Sequence, residues 1–225
     1  MQQYFADFFT QYCRFISKDL LATFDKRLGR NTKVINTFYK VFFIITKKDV
    51  DNSHKDQAIR ALTEQIDSYM TDGDTSIYAE MYDALGCTNK QHINGISYFG
   101  HLFRPLNDFN EAVSDYNKLY ENHIFKQGLI EFNNALSHLF AGFFASETNF
   151  EKNVKKACTH LHRGSLDYYK TIIKDKESLT HQQKQELIKI RDLEIQSIGL
   201  EVNNTNKDEI LIAYRDLARD LHKIQ

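Results

Sequence analysis

Two short stretches hold the residues best placed to do chemistry. In EFNNALSHL, Glu131, Asn134 and His138 are spaced i, i+3, i+7. At about 100° per residue, this spacing sets a carboxylate, an amide and an imidazole along one helical face. In ACTHLHRGSLDYYK the same spacing recurs at His160, Arg163 and Asp167, and Lys170 extends the line. An imidazole exchanges protons near neutral pH, and a guanidinium stabilises charge developing on a phosphate. His138, His160 and Arg163 are therefore the candidate catalytic residues. The string CTHLH invites a metal reading, but only Cys158 and His162, four apart, share a face. Two ligands without a third predict no metal site. Glycine-rich phosphate loops, HExxH helices and nucleophile elbows are missing from the sequence, so no cofactor is expected.

The segments that carry these stripes read as helices. Phe132, Leu136, Leu139 and Phe143 give the first an apolar face, and Ala157, Leu161 and Tyr168 do the same for the second. Ala135, Gly142 and Gly164 lie beside the stripes and leave room for a neighbouring helix. The first helix is predicted from roughly Phe125 to Ala145, and the second from a cap at Thr148 or Asn149 to about Lys174. The connection around SETNF is short, which predicts antiparallel neighbours. Two polar stripes then meet along one seam, where Glu131 or Asp167 pairs with Arg163 and each histidine finds a partner. Two readings stay open. A closed network satisfies its own polar groups and fixes helix register. Alternatively, the seam opens at one end and binds or cleaves a ligand.

Helical spacing continues on both sides. Tyr4, Phe8, Phe9, Tyr12, Phe15 and Ile16 start a stripe that Leu20, Leu21 and Phe24 extend, and LGRNT breaks it. A second helix is expected over about Lys33 to Thr46, and KKDVDNSHKD as a polar connection. Ala58, Leu62, Ile66 and Tyr69 mark a third helix; after TDGD, Ile77, Met81 and Leu85 mark a short fourth. GCTNKQHINGISYFG, with three glycines, reads as a linker or surface lobe holding a weak strand at Ile96 to Phe99. Leu106, Phe109, Val113, Tyr116 and Tyr120 form the next stripe. Thr180, with Gln183 three residues on, is a capping-box start for a helix bearing Leu187, Ile190, Leu193 and Ile198. GLEVNNTNKDE is a break, and Ile210, Tyr214, Leu217 and Leu221 close the chain. The expected fold is all-α: a four- to five-helix up-down C-terminal bundle (101–225) with an N-terminal helical half (1–100) packed against it.

The text NNALSH at Asn133 to His138 resembles the HEPN superfamily of small helical-bundle proteins. Its catalytic members carry an arginine, a polar residue and, a few positions on, a histidine. The resemblance implies a metal-independent ribonuclease fold, often dimeric, found in toxin–antitoxin, abortive-infection and CRISPR-associated systems. It covers about residues 107 to 225. Asn134 matches the polar residue and His138 the histidine, but Asn133 stands where the arginine would be. Members without catalytic residues act as binding or scaffold modules, and that variant fits these residues better.

Composition bounds the remaining classes. With 29 Lys plus Arg against 30 Asp plus Glu in 225 residues, no global positive field draws the chain to nucleic acid or anionic lipid. A single proline, Pro105, permits long helices. VINTFYKVFFII is too short to span a bilayer and contains Asn36 and Lys40, so it reads as a buried core helix. The N-terminus lacks the pattern of a signal peptide. Cys13, Cys87 and Cys158 are odd in number and widely spaced, which suggests no disulfide framework and a reducing, cytoplasmic setting. Tyr4, Phe5, Phe8, Phe9, Tyr12 and Phe15 are too apolar for a solvent-facing helix. Either the N-terminal half packs tightly, or this helix joins a homo-oligomer interface. Lys152, Lys155 and Lys156 read as a solvated helix start. The functional expectation is a noncatalytic, homodimeric binding or scaffold module that binds a partner protein or a ligand. The alternatives are a ribonuclease with a non-standard site, for which RNA or a nucleotide is the ligand, and a purely structural or regulatory bundle.

Overall fold

The computed structural model describes residues 2–24, 31–69, 100–121, 123–144, 147–197 and 204–224. Among the described residues there are eight α-helices and no strand: α1 (Gln2–Phe24), α2 (Asn31–Thr46), α3 (Asn52–Ser68), α4 (Phe103–Leu119), α5 (Lys126–Phe144), α6 (Glu147–Lys174), α7 (His181–Gln196) and α8 (Asn204–His222). The protein is an all-α multi-helix bundle. No helix among the described residues is long and apolar enough to cross a membrane. The fourth helix expected over Ile77 to Leu85, the strand at Ile96 to Phe99, residues 28–30 of the LGRNT break and Ile198 lie outside the described residues, as do the side chains of Leu20, Leu21, Phe24 and Phe143, while Asn31 and Thr32 of that expected break begin α2.

The chain divides into two compact units, residues 1–102 with 132–157, and residues 103–131 with 158–225. This partition and the sequence division at residue 100 share a break near residue 102. They differ over 132–157, which joins the N-terminal residues. Those residues carry Phe132, whose ring stacks edge-on against Tyr39 at 5.4 Å and Phe42 at 6.0 Å.

In the first unit the aromatic stripe of α1 is interior from Phe5 to Phe15, and Tyr4 at its start is half-buried. Phe8 and Phe9 are 0% exposed, and Tyr12 contacts Phe38 of α2 at 5.4 Å in a T-shaped pair. Of the two readings of this stripe, tight packing within the chain is the one observed. α2 is the core helix its composition suggested: Val34, Phe38, Val41, Phe42 and Ile45 are all buried. α3 starts earlier than the polar connection implied, because Asp51 caps it by accepting from the His54 N–H at 3.0 Å. At its other end, Lys18 of α1 donates to the Ile66 carbonyl at 2.5 Å, and Arg14 pairs with Asp67. A cation on the last carbonyls is the favourable sense of the helix dipole. Cys13, wholly buried, is disulfide-bonded, whereas Cys158 is a free thiol. The wide cysteine spacing did not suggest that bond, so the cysteines give no support to a reducing compartment.

In the second unit, α4 and α8 are joined through a buried charge. Asp115 is 1% exposed and accepts from Arg219 Nε at 2.7 Å, while Glu111 accepts from Arg219 Nη2 at 2.8 Å. The stripes at Leu106, Phe109, Val113 and Tyr116 and at Ile210, Tyr214, Leu217 and Leu221 are buried as their spacing predicted. α7 departs from expectation. Thr180 and Gln183 do form a reciprocal capping box, but only Ile190 is buried on this helix. Leu193, expected inside, is 50% exposed, and Ile188 and Ile195 are 62% and 60% exposed. Ile188 and Ile195 lie seven apart, on the outer side of the helix from Ile190. α6 also starts before the expected cap, so Thr148 and Asn149 fall inside its first turn.

Candidate functional site

α5 and α6 are antiparallel in each unit. In the first, His138 meets Asn153 and Gly142 faces Phe150; in the second, Gly128 faces Tyr168 and Glu131 meets His160. Small residues set the approach. A Cβ built on Gly164 would lie 2.5 Å from Phe109 Cε2 and 3.2 Å from Glu131 Cβ. Glu131 is thereby held against α6 with only 4% of its surface exposed.

The Glu131 carboxylate is the centre of the polar group in the second unit. Its Oε2 lies 2.7 Å from His160 Nδ1. An ionised carboxylate only accepts, so His160 presents its Nδ1 proton to it. Arg163 Nη1 lies 3.8 Å from Oε1, an ion pair beyond hydrogen-bond reach. The burial of these groups is graded: the side chains of Glu131, His160 and Arg163 are 6%, 20% and 58% exposed. Asp167, half-buried, completes the stripe. Burial raises its pKa above the usual carboxylate value; Glu131 and Glu194 add to the rise, and Lys170 and Arg163 oppose it.

Beyond Lys170 the line runs on to Glu194 and Arg191, which no pattern in the sequence singles out. Lys170 donates to Glu194 Oε1 at 2.5 Å, and Glu194 Oε2 accepts from Tyr214 at 2.7 Å and Arg191 at 2.6 Å. Lys170 was read as the extension of the stripe. Glu194 and Tyr214 sit on α7 and α8, and nothing in their local spacing announces a partner on α6.

His138 and Asn134 belong to the first unit, both half-buried. His138 Nδ1 lies 3.2 Å from Asn153 Oδ1. Of the three candidate catalytic residues, His160 and Arg163 therefore share one carboxylate in the second unit, and His138 has an amide partner in the first. Asn133, at the position of the HEPN-like arginine, faces α1. Its Oδ1 accepts from the Tyr12 hydroxyl at 3.0 Å, and that hydroxyl lies 2.8 Å from Ser137 Oγ. Tyr12 is 1% exposed, so the half-buried Asn133 is tied to the core through its hydroxyl.

Cys158 and His162 share a face of α6 in the expected way. Burial lifts the Cys158 thiol to about 11. Burial, then the Lys207 charge, lowers His162 to about 4, with Asp208 opposing. The pair is a protonated thiol beside a neutral imidazole at neutral pH. Among the described residues, no group of three His, Cys, Asp or Glu side chains could hold a metal ion. Lys152, Lys155 and Lys156 are solvent-exposed, and Lys155 pairs with Glu151 at 2.6 Å.

No family model, curated protein or solved structure matches the chain. The functional reading therefore rests on its own residues.

Proposed function

We propose that the chain is a noncatalytic helical binding or scaffold module that works as a homodimer. The observation that carries this reading is the internal use of the motif's polar groups. Asn133 accepts from a buried tyrosine, and the buried Glu131 accepts from His160. Groups committed in this way fix register between α5 and its neighbours and leave little to contact a substrate. Phe5, Phe8, Phe9, Tyr12 and Phe15 of α1 are interior, so self-association uses another face. The exposed isoleucines of α7, Ile188 and Ile195, support such a face. The resemblance alone suggests a defence- or toxin-related setting.

One observation favours a second reading, a metal-independent ribonuclease. A buried carboxylate orienting His160, with the half-open Arg163 beside it, is an arrangement that can hold a general base next to a phosphate-binding cation. Incubation of the protein with assorted RNAs in chelator separates the two. No cleavage is expected from the wild type or from His138→Ala, His160→Ala and Arg163→Ala. Cleavage that disappears with any of these substitutions would overturn the noncatalytic reading. Sedimentation velocity tests the homodimer: a monomer at every concentration up to about 100 μM, where a contact worth roughly 6 kcal/mol would register, removes it.

A further inference from the structure

We draw no further inference here: the strongest candidate, the cleft of about 80 Å³ in the second unit between Arg104, Asp108 and Glu111 of α4 and Asp208 and Arg215 of α8, carries nothing because its carboxylates are an acidic cluster, its arginines already pair with Asp208 and Glu111, and among the described residues no buried side-chain polar atom is left unpartnered to indicate a ligand.

Discussion

His160 and Arg163 both reach the Glu131 carboxylate, but on different terms. His160 is a direct, mostly buried hydrogen-bond partner at 2.7 Å, while Arg163 stands 3.8 Å away and is 58% exposed. Removing a direct partner of a buried charge costs its hydrogen bond and strands the carboxylate, whereas an exposed ion pair contributes little. His160→Ala is therefore expected to lower stability by about 2 kcal/mol and Arg163→Ala by about 0.5 kcal/mol or less. Urea midpoints at unchanged m-value check this order, and equal losses would mean that Arg163 holds Glu131 as firmly as His160 does. Glycine gives a second contrast. Gly164→Ala would place Cβ 2.5 Å from the ring of Phe109, which is 0% exposed and cannot swing away. A cost of about 1–3 kcal/mol is expected, exceeding the roughly 1 kcal/mol gained from helix propensity. At Gly142 the nearest atoms, Asn153 Cβ and Phe150 Cδ2, are 3.3 Å away, a tight fit that a few tenths of an ångström relieve. Gly142→Ala should therefore stay within about 1 kcal/mol of wild type, as thermal or urea unfolding of the two variants would register.

α7 depends unusually on its cap. It buries only Ile190, so tertiary packing holds it less than it holds its neighbours. The Thr180 hydroxyl accepts from the Gln183 N–H at 3.3 Å, and the Gln183 side-chain oxygen accepts from the Thr180 N–H at 3.0 Å. Thr180→Ala removes half of this box and is expected to cost about 1 kcal/mol. Amide hydrogen exchange should accelerate first across residues 181–196. Unchanged protection there would show that Glu194, through Lys170 and Tyr214, fixes the helix without its cap. This start was legible because a capping box spans four consecutive residues. The exposure of Leu193 was not, because a helical stripe records periodicity and says nothing of whether a neighbour covers it. On α1 the same periodicity left core and dimer interface unresolved until α2 was seen to cover it.

For the whole molecule, stability should fall on mild acidification. His162 is held at about 4, below its ordinary 6.5, chiefly by burial. Between those values the unfolded chain takes up a proton that the folded chain refuses, so folding weakens as pH drops from about 6.5 to 4. The loss from this group is on the order of 3 kcal/mol. Glu111 and Glu194 add to it at lower pH. Burial alone would raise both, but Arg219 and Arg215 outweigh it at Glu111, as Lys170 and Tyr214 do at Glu194, and each is held below 4.5. Their contribution is lost as pH falls through those lowered values. Asp167 and Asp108, raised by burial, act in the opposite sense and offset part of the loss. His162→Gln should flatten the unfolding free energy between pH 6.5 and 4; an undiminished slope would mean that His162 is not the group responsible.

The sequence by itself determined the helical class, most of the helix positions, the capping box at Thr180, and the antiparallel pairing that brings Glu131 to His160 and Arg163. These are local quantities: side-chain periodicity, a cap, the scarcity of proline and a short connection. Only the tertiary structure decided how tightly each partner holds Glu131, that Asn133 is taken up by Tyr12, 121 positions away, and that Lys170 reaches Glu194 and Tyr214. Periodicity fixes the direction a side chain faces around its own axis. It does not fix the axial offset between helices or the identity of the neighbour, and a difference of one ångström there separates the hydrogen bond of His160 from the looser ion pair of Arg163.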